Sequence, residues 1–278
     1  MTGRRRPGPA GVLAAALALV CLAPGPASAG PGVGVPGAFV PGATVVGTSV
    51  AADRSAEHAG RPRAVVARRV IGRSVQGRPI TAWRLGEPGR RTVVLLSTMH
   101  GDEPATRQLL AALRDGRPLR GIDLWVVPTY NPDGLARGTR QNARGVDLNR
   151  NFPRDWRDLD GRYESGPRPA SEPETRAVMR FLRRVDPKRV LSFHQPLHGV
   201  DTDTKDPVFA RRLARGLRLP TTSLDCGGTC HGTMTGWFNA TFAGAALTVE
   251  YGAHPSRRRM RVEAPRQLLR VLRARRGR

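Results

Sequence analysis

The sequence predicts an α/β domain whose central sheet is mixed but mostly parallel and carries helices on both faces. Residues 93–96 form a short apolar run with two β-branched members, which is typical of a strand buried on both faces. Pro104 opens a helical pattern that continues to Arg114, at a position where proline starts helices well. A second apolar run follows at residues 122–128. Strand, helix and strand in this order favour a parallel sheet.

The rest of the chain supplies further elements of the same fold. Five are predicted in chain order: a β-hairpin at residues 65–85, a helix at 171–185, a strand at 189–193, a helix at 208–217 and a strand at 245–249. Gln76 and Gly77 mark the turn of the hairpin, and Ser171 is the expected N-cap of its helix. A polar loop as long as residues 129–153 inside a compact domain is typical of a functional segment. Its Asn-Pro-Asp-Gly run at 131–134 predicts a turn.

The N-terminal part of the chain differs in composition from the rest. Residues 1–29 read as a signal peptide, with three arginines, an apolar core and an Ala-Ser-Ala cleavage site. The apolar core is too short to span a bilayer, so we expect a secreted or cell-wall associated protein without a transmembrane segment. Residues 30–62 predict a flexible Gly/Pro/Ala-rich leader. Residues 63–278 are predicted to form one catalytic domain with a basic C-terminal tail. The sequence leaves open whether this tail packs against the domain or extends into solvent.

The chain is strongly basic, with a formal net charge of +24. Nucleic acid is not an expected partner, because the arginines are spread out and no binding module or pattern of stacking aromatics accompanies them. Electrostatic association with an anionic cell wall is favoured, and a compositional bias without function is the alternative. Nothing in the sequence reports an oligomer, and we expect a monomer.

Residues able to bind a metal follow the ends of the predicted strands. His100 and Glu103 come just after the first strand, His194 ends the third, and Glu250 ends the fourth. Strand ends at the same edge of a parallel sheet form the crevice where α/β proteins bind ligands. A catalytic zinc needs three protein ligands and one open position. The sequence therefore predicts a single zinc ion at this edge.

Two cysteines, Cys226 and Cys230, lie in a Gly-rich stretch of the mature chain. An even number of cysteines in an exported protein favours a disulfide between them. A second metal site that includes His231 is the alternative.

These residues stand within motifs that resemble a known family. The motifs are His100-x-x-Glu103, Asn-Pro-Asp-Gly at 131–134, Arg140, Gly-Val-Asp-Leu-Asn-Arg-Asn-Phe-Pro at 145–153, Ser-Phe-His at 192–194 and Thr-Val-Glu at 248–250. In this order they resemble the zinc carboxypeptidases of the carboxypeptidase A type, and among these the bacterial branch that includes murein peptide amidases. The resemblance covers roughly residues 70–252 and implies the zinc carboxypeptidase fold.

The resemblance also implies a role for each motif residue. His100, Glu103 and His194 would hold zinc, while Asp147 would orient His100 through a hydrogen bond. Glu250 would act as general acid and base. The remaining roles belong to substrate binding and polarisation: Arg140 would polarise the scissile carbonyl and stabilise the oxyanion, and Asn149 and Arg150 would bind the free terminal carboxylate of the substrate.

The sequence departs from the family at two places. No tyrosine lies between residues 217 and 249, where the digestive members carry a mobile one, and His231 is a candidate replacement. The tyrosine usually found near the third metal ligand is also missing, and the stretch after His194 instead resembles the murein amidase branch, whose substrates contain γ-D-glutamyl-diaminopimelate. Diaminopimelate carries an extra ammonium group, for which Asp201, Asp203 and Asp225 are candidate partners.

Taken together, the sequence predicts a secreted zinc metallocarboxypeptidase acting on peptides with a free carboxylate, in particular peptidoglycan stem peptides. The alternatives are a general secreted carboxypeptidase, a zinc deacylase of the aspartoacylase type, and a wall-binding protein with a vestigial metal site. The last is disfavoured because His100, Glu103, His194 and Glu250 are all present.

Overall fold

A computed structural model describes residues 62–224 and 228–277. The predicted signal peptide and nearly all of the predicted leader lie outside these residues. The strands are, in chain order, β1 (Val65–Arg73), β2 (Pro79–Gly86), β3 (Thr92–Ser97), β4 (Leu119–Arg120), β5 (Asp123–Val127), β6 (Arg189–His194), β7 (Leu197–Asp201), β8 (Thr221–Thr222), β9 (Ala245–Gly252) and β10 (Arg275–Arg276). The helices are α1 (Thr106–Arg114), α2 (Pro132–Arg137), α3 (Pro173–Val185), α4 (Pro207–Leu217), α5 (Met234–Thr241) and α6 (Ala264–Val271).

Eight strands form one sheet in the order β1-β2-β5-β3-β6-β9-β7-β8. The four central strands, β5, β3, β6 and β9, are parallel to one another, whereas β1 and β2 form an antiparallel hairpin and β7 runs antiparallel to β9. The central strands are buried almost throughout, as expected for strands covered on both faces. The predicted mixed, mostly parallel central sheet is confirmed.

Helices cover both faces of the sheet and form two apolar clusters with it. One cluster contains buried residues of α1, α4 and α6, including Leu110, Leu213 and Leu268. The other contains residues of α3 and α5, including Phe181 and Phe238. None of the helices in the described part of the chain is long and apolar enough to cross a membrane.

Some predicted element boundaries are wrong. Helix α1 begins at Thr106, two residues after Pro104. The Ser171 side chain does not cap α3, because its hydroxyl accepts a hydrogen bond from Asn151 Nδ2 and donates one to Glu172 Oε1, both at 2.8 Å. The hydroxyl therefore joins the helix start to the long loop before it. Strand β9 continues past Glu250 to Gly252.

The basic C-terminal tail docks on the domain. Val271 and Leu272 are buried, and β10 pairs with β4. The Arg276 guanidinium donates to the carbonyl oxygens of Ala112 and Arg117, at 3.1 and 2.8 Å. A cation near the last carbonyls of a helix stabilises that helix end, so the tail supports the C-terminus of α1.

The Asn-Pro-Asp-Gly run is the start of helix α2 rather than a simple turn. Asn131 Oδ1 accepts a hydrogen bond from the Gly134 amide at 2.8 Å and so caps the helix. Asp133 is fully buried and accepts hydrogen bonds from Ser74 Oγ at 2.8 Å, from the Gln76 amide at 3.0 Å and from Arg78 at 2.6 Å. Asp133 thus fixes the turn of the β1–β2 hairpin to the start of helix α2.

We expect the substitution Asp133→Ala to lower the free energy of unfolding by about 2–3 kcal/mol, because it leaves buried donors of the hairpin without an acceptor. Urea unfolding measures the change. Asp158→Ala, at an exposed aspartate, is the control and should stay within about 0.5 kcal/mol of the parent protein. Equal stabilities of the two variants would contradict the anchoring role of Asp133.

Candidate active site

The parallel strands bring the predicted site residues to one edge of the sheet. In the register of β6 and β9, His194 lies opposite Glu250. His100 follows the end of β3 after Thr98, which has a left-handed φ of 55° and donates from Oγ1 to the Pro128 carbonyl at 3.2 Å. Gly101 passes so close to α2 that a Cβ would lie 1.9 Å from the Gly134 carbonyl carbon. Glycine is therefore required between the two residues that face the site.

His100, Glu103 and His194 form a compact group of buried metal-binding atoms. His100 Nδ1 lies 2.6 Å from Glu103 Oε1, and His194 Nδ1 lies 2.9 Å from Glu103 Oε2. The two Nδ1 atoms are 3.3 Å apart. One ligand atom from each residue lies within 4.8 Å of the others, so the group could hold one ion. Two imidazole nitrogens and a carboxylate match the ligands of a catalytic zinc, which leaves a position open.

Hydrogen bonds on the far side of each imidazole orient both rings. His100 Nε2 lies 3.1 Å from Asp147 Oδ1, and His194 Nε2 lies 2.9 Å from Ser192 Oγ. With each Nε2 held in this way, both Nδ1 atoms face Glu103, where a metal would bind. Ser192 belongs to the Ser-Phe-His motif, from which no role for its hydroxyl was predicted. Its position two residues before His194, on the same face of β6, was the available signal.

Charge interactions in the metal-free group are strong. Burial disfavours a charged His100, but the carboxylates of Glu103 and Asp147 outweigh this effect and raise the pKa of His100 to about 9. Burial likewise opposes ionisation of Glu103 and Asp147, yet attraction to His100 holds the pKa of both carboxyl groups well below the usual range. A cation at this position is therefore electrostatically favoured.

Asp147 also connects the metal-binding group to the predicted substrate-binding residues. Its Oδ2 accepts from Arg140 Nε at 2.9 Å and pairs with Nη2 at 2.8 Å, and its Oδ1 accepts from the Asn149 amide at 2.9 Å. The remaining nitrogen, Arg140 Nη1, lies 3.3 Å from His100 Nδ1 and 3.8 Å from Glu103 Oε1. Arg140 is thus held with its Nη1 edge toward the metal-binding atoms.

Glu250 lies beside this group and is buried, with 6% of its surface exposed. Its Oε2 accepts a hydrogen bond from the Leu197 amide at 3.3 Å. Burial raises the pKa of its carboxyl group above the ordinary value. A raised pKa brings a carboxylate closer to the range in which it exchanges protons with a substrate at neutral pH.

A cavity of about 610 Å³ opens onto these residues. The predicted residues Arg140, Asn149 and Arg150 line it, as do the unpredicted Arg162 and Tyr163. The guanidinium groups of Arg140 and Arg150 lie over the Tyr163 ring, 5.4 and 5.0 Å from its centroid. Burial lowers the pKa of Arg150. The cavity wall thus presents several guanidinium groups suited to an anionic ligand.

The structure separates the remaining candidate residues. Asp201 and Asp203 line the cavity, whereas Asp225 lies outside the described residues. His231 pairs with Asp155 at 2.7 Å and is not among the described residues that line the cavity, so the structure gives no support for its replacing a mobile tyrosine. Cys230 lines the cavity and is disulfide-bonded, which argues against its being a metal ligand. The predicted partner, Cys226, lies outside the described residues.

Comparison with known proteins identifies the family. The family model described as "Zinc carboxypeptidase" matches residues 57–200. The chain therefore belongs to the zinc carboxypeptidase family, which is a family of zinc-dependent hydrolases.

Individual relatives refine this result. Murein peptide amidase A of Escherichia coli K12 is 37% identical over a match that covers 47% of this chain and 60% of the relative, so the match spans less than two thirds of that protein. Human carboxypeptidase D is 36% identical over 40% of this chain and 10% of its own length. The crystal structure of murein-tripeptide amidase from E. coli O157 superposes with a TM-score of 0.63 at 29% identity, and the match covers 78% of this chain and 95% of that one. Carboxypeptidase A from Helicoverpa armigera shares the fold, with a TM-score of 0.64 at 17% identity over 76% of this chain and 67% of that one.

We expect Ser192→Ala to weaken zinc binding about 10-fold to 100-fold, because His194 loses the hydrogen bond that orients it. Competition with a chromogenic chelator measures the affinity. Ser223→Ala, at an exposed serine, is the matched control and should bind zinc as the parent does. An unchanged affinity in Ser192→Ala would show that the hydrogen bond to His194 is dispensable.

Zinc binding should also release a proton below pH 9. His100, with a pKa of about 9 in the metal-free group, is protonated at neutral pH and must be neutral to bind a metal. We expect release of about one proton from His100 at pH 7 and almost none above pH 10, so apparent affinity rises with pH up to about 9. Calorimetry in buffers of different ionisation enthalpy counts the protons. Equal release at both pH values would contradict the raised pKa.

Proposed function

We propose that the protein is a secreted zinc metallocarboxypeptidase that hydrolyses a terminal amide bond in peptides with a free carboxylate. We further propose peptidoglycan stem peptides containing γ-D-glutamyl-diaminopimelate as its substrates. One observation carries the proposal: the His100–Glu103–His194 group, the buried Glu250 and the guanidinium groups of Arg140 and Arg150 all line the same cavity. This arrangement combines a metal-binding group, a base and a carboxylate-binding wall.

The chemistry divides between the metal and the chain. When bound, zinc supplies a Lewis acid that polarises a carbonyl and makes water more acidic. Glu250 accepts a proton from the attacking water as the oxygen of that water bonds to the scissile carbonyl carbon. Glu250 then gives this proton to the amide nitrogen, and the carbon–nitrogen bond breaks. The second water proton passes from the new carboxyl group to the released amine, which leaves a carboxylate and an ammonium.

Arg140 and its neighbours position the substrate. Arg140 Nη1, the edge not used by Asp147, is directed to the region where negative charge develops on the carbonyl oxygen. Asn149 Oδ1 accepts a hydrogen bond from the Met234 amide at 3.0 Å, which leaves the Nδ2 donors of Asn149 for a substrate. With Arg150 beside it, Asn149 can bind the terminal carboxylate through charge-assisted hydrogen bonds. Binding of that carboxylate restricts the reaction to chain ends.

Several observations support a cell-wall substrate and an extracellular location. Two of the relatives described above are murein amidases, one by sequence and one by structure. The net charge of +24 favours association with an anionic wall, and the first 29 residues have the pattern of a signal peptide. A general carboxypeptidase is the second candidate, favoured by the 36% identity to human carboxypeptidase D.

Glu250→Gln tests the proposed catalytic role. We expect kcat to fall about 10³-fold, because glutamine cannot accept the water proton, while zinc content stays at one ion per chain. Metal analysis and a peptide cleavage assay measure the two quantities. Glu263→Gln, on a partly exposed side chain paired with Arg258, is the control and should keep full activity. Retention of turnover in Glu250→Gln would exclude Glu250 as the base.

Cleavage of two substrates side by side tests the proposed specificity. The zinc-loaded protein is incubated with L-Ala-γ-D-Glu-meso-diaminopimelate and with an ordinary peptide ending in a free L-residue. We expect release of diaminopimelate and little cleavage of the ordinary peptide. Cleavage of the ordinary peptide alone would establish a general carboxypeptidase, and cleavage of neither by zinc-loaded protein would contradict the peptidase proposal.

A further inference from the structure

Helices α4 and α6 bring two rows of arginines together on one face of the sheet. Both helices pack into the same apolar cluster. Where they meet, a Cβ on Gly216 would lie 2.1 Å from Val271 Cγ2, so glycine allows the two helices to approach closely. Six arginines lie on the two helices or directly after them, and we call this set the arginine track: Arg212, Arg215, Arg218, Arg266, Arg270 and Arg273.

The arginine track borders two adjoining grooves. One groove, of about 410 Å³, is lined by four of the six arginines, and the other, of about 280 Å³, by three. Arg270 belongs to both sets, so the grooves are continuous. Arg266 also borders a third groove, together with Arg117 and Arg261. From Arg266 to Arg273 the α6 side of the track spans about 10 Å of helix axis, which is longer than a single phosphate group.

Carboxylates do not neutralise the arginine track. Within residues 62–224 and 228–277, none of the six guanidinium groups forms an ion pair with a carboxylate. Glu263 is the one carboxylate among the described residues that line the two grooves, and it pairs with Arg258 Nε at 3.0 Å and with Arg259 Nη1 at 3.8 Å. In the described part of the chain, the buried Arg212 Nε has no hydrogen-bond partner. The positive charge of the track is therefore available to a ligand.

Positive charge also accumulates beside one end of the arginine track. Partial burial and, after it, the guanidinium groups of Arg189, Arg212 and Arg273 lower the pKa of Arg91. Like charges at this distance destabilise one another. A bound anion would replace that repulsion by attraction.

Stabilisation of helix ends explains only part of the arginine track. A cation in the last turn of a helix interacts favourably with the helix dipole, and Arg215 and Arg270 hold such positions. Arg212 and Arg266 lie earlier in α4 and α6, where this benefit is absent. An anionic ligand, in contrast, would interact favourably with all of these arginines.

The grooves favour a chain of phosphate groups over nucleic acid. Guanidinium groups match phosphate oxygens through forked, charge-assisted hydrogen bonds. No aromatic residue is found among the described residues that line the three grooves, so the bases of a single strand would lack a surface for stacking. A linear polymer with a negative charge on every unit can contact adjoining grooves at once, which a single phosphate ion cannot do.

We propose that the arginine track binds a linear polymer of phosphodiester-linked polyols, the chemistry of an anionic cell-wall polymer. None of the six arginines lines the active-site cavity. The inference thus rests on the proposed location at the wall but not on the proposed peptidase activity. Binding would hold the protein at the wall and leave the cavity open to substrate.

The test compares two double variants that have the same net charge. Arg266→Gln/Arg270→Gln removes two guanidinium groups of the track. Arg180→Gln/Arg184→Gln is the matched control, because these two exposed arginines have the same spacing on α3, which packs on the opposite face of the sheet. Fluorescence anisotropy of a labelled glycerol-phosphate oligomer gives Kd over a range of salt concentrations. Urea unfolding shows whether each variant is folded.

Competing ligands identify the chemistry that the track recognises. Orthophosphate tests a single-ion site, and vesicles of phosphatidylglycerol test a lipid surface. Oligodeoxythymidylate and duplex DNA with the same number of phosphates as the oligomer test nucleic acid. Hydrolysis of L-Ala-γ-D-Glu-meso-diaminopimelate by the zinc-loaded proteins is measured in parallel.

We expect log affinity of the parent for the oligomer to fall with log salt at a slope of about −4, as six phosphate contacts predict. The track variant should bind about 10-fold more weakly at low salt, with a slope smaller in magnitude by about 1.4. The control should bind within about 2-fold of the parent, because its two arginines lie beyond the screening length from the track. Hydrolysis of the tripeptide should be the same in all three proteins.

Other results would contradict the proposal. Equal weakening in the two variants would show that net charge alone attracts the polymer and would overturn the track as a site. Equal affinity for orthophosphate and the oligomer, or tighter binding of the vesicles or of either DNA, would overturn the polyol phosphate ligand. Oligomer binding that depends on the track, without tripeptide hydrolysis by the parent, would support the track and contradict the proposed peptidase activity alone.

Discussion

The candidate site depends on one buried carboxylate, that of Asp147. One of its oxygens orients His100 and receives the Asn149 amide, and the other holds the Arg140 guanidinium. A single anion therefore fixes a metal-binding imidazole, a group for the developing oxyanion and the turn that presents the carboxylate-binding residues. These groups come from a strand end and from one long loop, so their relative positions would otherwise vary with every motion of that loop. Burial makes the interaction strong, because little water screens it.

The sheet provides the rigid frame for this loop. Parallel strands β3, β6 and β9 end at the same edge of the sheet and carry His100, His194 and Glu250, respectively, at or near their ends. Because side chains alternate between the two faces of a strand, an inserted residue would shift the site residue that follows it to the opposite face. Asp133 performs a similar task at a distance, because it ties the β1–β2 hairpin to the start of the loop through three hydrogen bonds. Buried acidic groups thus connect elements that apolar packing alone would leave free to slide.

The sequence predicts the parts of the structure that depend on local pattern. The central strands are apolar runs, and the metal-binding residues follow directly from their ends. The parts that it did not predict depend on tertiary contacts. Strand β7 contains glycine and polar residues and is a strand only because it pairs with β9. Tyr163 lines the cavity, where its ring contacts two arginines. The C-terminal tail packs against the domain through hydrogen bonds to carbonyl groups of α1. Neither contact leaves a periodic pattern in the sequence.

The distribution of charge bears on how the acidic groups of the domain are paired. The chain has 46 basic and 22 acidic residues, so cationic partners outnumber the carboxylates. Glu103 and Asp147 are engaged by His100, and Asp133 by Arg78, whereas Glu250, the proposed base, forms no ion pair within residues 62–224 and 228–277.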